Sequence, residues 1–409
     1  MDYIQLWQNG ERITLNIFVY AFTFAIPSLG LTLLIATPWL PGIVKQTLAM
    51  PLLLANILYP LTFTSDPMLD LVGSPFNFSV LLRFLDLFYV SPIVYHRPVY
   101  ASTYSLWVDF WSCLRKFPKP AREATKDVKK GEIRTYTKDR SFLDIIPKLL
   151  FCMATVDVLG SYLSTFTPAD IMHISKHQPV TYFMFYAMAA LLMTAGFNIA
   201  GYSLHLFYSL FVEGGSYSSE QYRMLMIHPM LSSSLDDVWS RRWHQLFRST
   251  WLAFPFRPTR TLTQRLLAKT TKHYDSIALF AASVSVFFIS GLMHEYMVVC
   301  NVGWPLYKSA LIGQQTMFFT IHGCGVILEK LITAFSKRVL PESVRHSLVV
   351  RVLQHIWVIG FGFTFLIWFM EGFATWNVYN DNPFQFTRPL IHQYFRTHPA
   401  LHPFVGSAY

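Results

Sequence analysis

Residues 277–300 read IALFAASVSVFFISGLMHEYMVVC. As a helix this stretch would run about 36 Å, more than the roughly 30 Å of a bilayer's hydrocarbon core. Near its far end stands His294, followed by Glu295. An ionisable side chain inside an apolar crossing is costly and marks function by default. Ser283, Ser285, Ser290 and Gly291 precede it. Small residues let neighbouring helices approach closely, which puts this segment inside a bundle. A neutral imidazole can take a proton from an alcohol. The structural alternative is a buried histidine hydrogen-bonded across helices. A zinc-protease reading fails, because His294-Glu295 lacks the second histidine one helical turn on; position 298 is Val298.

Seven more apolar stretches flank it, at about 14–37, 47–64, 77–97, 142–165, 181–212, 309–330 and 352–372. Over the 409 residues, 53% are apolar, 17% aromatic and only 14% charged. A soluble domain carries about 25% charged residues. The expectation is an all-α integral membrane protein: about eight transmembrane helices, more if segments re-enter, in one polytopic domain over 1–409. The start, MDYIQLWQNGER, lacks the basic region and cleavage site of a signal peptide, so an uncleaved first span is expected.

The formal charge is +10. On a soluble chain this would suggest nucleic acid. Here the cations sit in loops, and no nucleic acid is expected. Segment 112–141 holds ten Lys/Arg against four Asp/Glu, and 213–276 holds nine against five. The linker 331–351 adds Lys337, Arg338, Arg345 and Arg351 against Glu342. With two spans between consecutive basic loops, all three face one side, the cytosol, and both chain ends face the other. Cys113, Cys152, Cys300 and Cys324 include no CxxC pair, so neither a disulfide framework nor a metal site is expected. The sequon Asn77-Phe78-Ser79 abuts a span and is not expected to be glycosylated.

The predicted cytosolic loop 213–276 contains SSSLDDVWSRRWHQLFRSTWLAFPFRP, residues 232–258. Arg241, Arg242, Arg248 and Arg257 alternate with Trp239, Trp243, Phe247 and Trp251. Arginine forks bind phosphate and aromatic rings stack on purines, which suits a nucleotide-bearing cosubstrate. An amphipathic helix in the headgroup region fits equally well. Ser234 is placed to cap a helix through Asp237. In the following apolar segment Gln315, His322 and Glu329 recur every seven residues and share one helical face. The stripe lines a cavity or pairs with another helix, with Glu329 near the cytosolic end. Arg83 and Asp86 are spaced to pair with each other.

SLDDVWSRRWHQLFR (234–248), followed some fifty residues on by FFISGLMHE (287–295), resembles the wax-synthase-like branch of the membrane-bound O-acyltransferase superfamily. Within that branch the chain is similar to fungal enzymes that O-acetylate terpenoid and meroterpenoid alcohols. The resemblance implies helices around a central catalytic tunnel, with His294 as the invariant catalytic histidine and His244 as the second motif residue. The candidate substrate contacts around these two histidines are Trp239, Arg241, Arg242, Trp243, Gln245, Arg248, Glu295, Gln315 and His322. Relatives often carry Phe-Trp-Gly where this chain has Val238-Trp239-Ser240. The implied reaction moves an acyl group, by this resemblance acetyl, from its coenzyme A thioester to a lipophilic alcohol. The cosubstrate is acetyl-CoA or another acyl-CoA, with no tightly bound cofactor and no metal. The other partner is membrane lipid, and the expected location is the endoplasmic reticulum. The alternatives are a long-chain acyl-CoA:fatty alcohol acyltransferase and, outside enzymes, a membrane transporter.

Overall fold

The structure, a computed structural model, describes residues 9–111, 113–114, 137–376 and 384–408. Most of the basic loop 112–141 lies outside the described residues. Among the described residues, seven helices are long and apolar enough to cross a membrane. They are α1 (Ile17–Ala36), α2 (Gly42–Thr62), α3 (Pro67–Tyr95), α4 (Pro179–Phe211), α5 (Tyr274–Val302), α6 (Gln314–Val339) and α7 (Leu348–Trp376). Among the described residues strand is confined to two-residue pairs, Ile13–Thr14 beside Phe63–Thr64 and Arg140–Ser141 beside Ser216–Tyr217. The all-α membrane architecture expected from composition is therefore present.

The count differs from expectation at 142–165. There a 3-10 turn, Phe142–Ile145, leads into an 18-residue helix, Ile146–Leu163. That helix alone is about 27 Å long, slightly less than the hydrocarbon core. It also carries Lys148 and the buried Asp157.

The chain divides into two compact units. The first comprises Met1–Trp107, Ser249–Leu328 and Trp368–Trp376. The Asn16 side chain caps α1 by accepting from the Phe18 N–H, and Asp66 caps α3 through Met68 with Pro67 in the first turn. Leu31 and Ile35 of α1, Ala49 and Leu53 of α2, and Phe84 and Phe88 of α3 form a buried cluster. Asn56 and Asn77 exchange hydrogen bonds between α2 and α3, so the sequon asparagine is fully buried. Arg83 and Asp86 pair at 3.2 Å as their spacing predicts. Gly303 and Gly313, both at φ 83°, bracket the connection from α5 to α6 in a backbone region that favours glycine.

The second unit comprises Val108–Arg248, Glu329–Ile367 and Asn377–Tyr409. The helix Ile146–Leu163 packs along α4, burying Cys152 and Val156 against Ala195. Asn198 of α4 grips Met226 through both its backbone N–H and C=O, fixing the chain that leads into the Arg-Trp-His segment. Cys113, Ile145, Tyr208, Tyr217, Tyr222 and Leu225 close a second cluster.

Candidate active site

In the first unit, His294 sits on α5 with 7% of its surface exposed. Its Nδ1 lies 2.7 Å from the Ser290 carbonyl one turn back. A carbonyl can only accept, so Nδ1 carries the proton and the neutral ring presents its lone pair at Nε2. The Phe319 ring stacks on the imidazole at 4.3 Å and the Phe369 ring lies 5.6 Å away. The ring is thus held in one orientation by a backbone bond and two aromatic neighbours, from α6 and α7.

Close helix approach makes this packing possible. A Cβ on Gly291 would meet the Thr316 Cα at 2.6 Å, and one on Gly323 would meet the Phe287 ring at 2.8 Å. Of the small residues flagged in sequence, Gly291 provides the contact between α5 and α6. Ser283 and Ser285 instead turn their hydroxyls onto carbonyls of their own helix.

Glu295 points to the start of α6, where its Oε1 accepts the Thr316 N–H at 3.0 Å. This N–H belongs to the first turn, where backbone donors lack helical partners and the helix dipole favours an anion. Burial first, and then the adjoining Glu295 carboxylate, raise the Tyr307 phenol well above its ordinary range. Gln315 is fully buried and donates to the carbonyls of Trp368 and Phe369, both at 3.0 Å. It ties α6 to α7 at the residue whose ring packs near His294. His322, also buried, donates Nδ1–H to the Phe318 carbonyl of its own helix and packs on the Phe318 ring. Here Glu295 and Gln315 support the histidine's surroundings.

The second unit holds the Arg-Trp-His segment. It is not the continuous amphipathic helix that one sequence reading allowed. Leu235–Asp237 forms one helical turn, Val238–Arg242 a wider turn, and Trp243 is extended. Ser234 caps the first turn by accepting the Asp237 N–H at 3.0 Å, as its position predicts. Asp237 in turn accepts from the Ser232 hydroxyl and the Arg242 Nε. Burial alone would raise its carboxyl, but these donors prevail and hold it below the usual carboxylate range.

Arg242 is therefore engaged inside the loop, whereas Arg241, 80% exposed, and Arg248 extend outward. The Trp239 and Trp243 rings lie 5.0 Å apart. Gln245 is buried and donates to the carbonyls of both tryptophans, so it braces the loop from within. The His244 ring stacks on Phe197 of α4 at 4.2 Å.

Glu329 is the residue whose part the sequence reading missed. Its two carboxylate oxygens accept the N–H groups of Leu235 and Asp236 at 3.0 and 3.1 Å. The adjacent Lys330 pairs with Asp236 at 2.9 Å. The heptad stripe put Glu329 on a helical face but gave no sign of partners more than ninety residues earlier.

His294, Glu295, Gln315 and His322 thus belong to one unit, and Trp239 to Arg248 with Glu329 to the other. Residues 222–321 match the sequence pattern of the Membrane bound O-acyl transferase family. An Arabidopsis thaliana protein named "Probable long-chain-alcohol O-fatty-acyltransferase 1" is 31% identical over 105 residues, 25% of this chain and 26% of its own length. A second from the same plant, "Probable long-chain-alcohol O-fatty-acyltransferase 7", is 28% identical over 112 residues, 27% of this chain and 30% of its own. The chain thus aligns with less than a third of the curated relatives' length. Over that stretch, which holds both histidine motifs, it carries the pattern of the Membrane bound O-acyl transferase family.

Proposed function

We propose that this protein is an acyl-CoA-dependent O-acyltransferase of the membrane, with His294 as general base. The observation that carries the reading is the fixed tautomer of a histidine in an apolar helix, Nδ1–H bound to Ser290 and Nε2 left to accept. In the reaction Nε2 takes the proton of the acceptor hydroxyl as its oxygen attacks the thioester carbonyl. The carbon–sulfur bond breaks, the thiolate of coenzyme A takes that proton from the His294 imidazolium, and an ester remains. His244 would hold the thioester carbonyl or its developing negative charge. Exposed Arg241 and Arg248, with Trp239 and Trp243, would meet the phosphates and adenine of the cosubstrate.

The finer reading is acetyl transfer to a terpenoid-type alcohol at the endoplasmic reticulum, and it rests on the resemblance to fungal enzymes. The names of the plant relatives favour a second reading, a fatty acyl donor with a long-chain alcohol. Purified protein incubated with acyl-CoAs from acetyl to palmitoyl and either class of alcohol should release free thiol. The preferred donor then separates the two readings. His294→Ala should lower that release by about 10²–10⁴-fold with the fold retained. Full activity in this variant would overturn the assignment.

A further inference from the structure

The Arg-Trp-His segment begins with three residues of helix, too few to stabilise themselves. Several of its polar ties are local: Ser234 to Asp237, Ser232 and Arg242 to Asp237, and Gln245 to Trp239 and Trp243. Such ties shape the loop but do not anchor its beginning to the rest of the unit. Glu329 supplies an anchor from 93 and 94 residues away. One carboxylate oxygen takes the N–H of Leu235 and the other that of Asp236, the first two donors of the turn. These donors have no partner within a helix, and a carboxylate binds them more strongly than a neutral acceptor would. Lys330 adds an ion pair to the Asp236 side chain, which is half exposed and therefore the weaker tie.

We infer that Glu329 is a positioning residue for the acyl donor: its carboxylate fixes the start of the turn from which Trp239, Arg241 and Trp243 project. The inference rests on the acyltransferase reading for what the loop binds, but the clamp itself is independent of it. Loss of the carboxylate frees two backbone donors and lets the turn fray. Tryptophans and arginine then meet the cosubstrate less often in the correct arrangement, while proton transfer at His294 is untouched once the donor is bound.

The test uses the full chain in nanodiscs and the variants Glu329→Ala, Glu329→Gln and Lys330→Ala. Amide hydrogen exchange over 234–245 reads the clamp, and thiol release at varied acyl-CoA reads its consequence. Glu329→Ala should speed exchange at Leu235 and Asp236 and raise KM for acyl-CoA by about tenfold, with kcat changed much less. Glu329→Gln keeps one acceptor oxygen and should recover part of both effects, and Lys330→Ala should show little of either. Unchanged exchange in Glu329→Ala would overturn the clamp. Faster exchange with an unaltered KM, or a loss confined to kcat as from a smaller folded fraction, would overturn the positioning role. Wild-type protein that binds acyl-CoA without releasing thiol would instead sink the acyltransferase reading, while the exchange result still decides the clamp.

Discussion

Gly291 shows what a single hydrogen in place of a methyl group does beside the candidate base. Ala is the better helix former by about 1 kcal/mol, so at an open position Gly→Ala stabilises. At Gly291 the added carbon would lie 2.6 Å from the Thr316 Cα, and backbone cannot turn aside as a side chain can. The two helices must part, and Phe319, stacked on His294, moves with α6. Gly291→Ala should therefore destabilise by about 1–3 kcal/mol, the usual cost of overpacking, and lower thiol release. Gly196 on α4 is the matched control, since nothing lies within 4 Å of its added carbon. Thermal unfolding of both variants in one detergent should give opposite signs; equal and small shifts would mean that the close approach carries no weight.

Helix α6 begins where Gly313 breaks the preceding chain, and one donor of its first turn, the Thr316 N–H, is accepted by the Glu295 carboxylate from α5. Glu295→Leu should leave the Thr316 N–H without its acceptor in an apolar setting and cost about 1–3 kcal/mol. Glu295→Gln keeps an acceptor and should lose less. Melting temperatures in that order, with exchange quickened at Thr316, would support the cap; a Leu variant as stable as the parent would refute it. The same helix shows how far sequence reaches. Its apolar run is legible as a span at 309–330, yet the helix occupies Gln314–Val339. Hydropathy ends where Lys330, Lys337 and Arg338 begin, but charged residues past the bilayer edge continue a helix readily. His294 was legible because a polar side chain in an apolar run stands out. The Phe197 ring under His244 and the Glu329 clamp were not, because each joins residues far apart in the chain and neither partner is unusual where it stands.

Whether the described residues supply seven crossings of the membrane or eight turns on the helix Ile146–Leu163. Alone it is about 27 Å long, but the 3-10 turn Phe142–Ile145 adds about 8 Å, enough together to cross. Leu143, Leu150, Phe151 and Val158 are exposed along it, as a surface facing lipid requires. The charge of the loops points the same way. Segments 112–141 and 213–276 are both strongly basic, and they lie on one side only if two crossings separate them, of which α4 is one. The expected outcome is that Phe142–Leu163 crosses, giving eight spans among the described residues. Ser141→Cys and Lys176→Cys, introduced singly into a Cys324→Ser background in sealed vesicles, flank this segment at exposed positions. A membrane-impermeant maleimide should label one of them and reach the other only after the vesicles are opened. Labelling of both from the same side would remove the crossing and, with it, the shared face of the two basic loops from which the proposed function has a coenzyme A ester arrive.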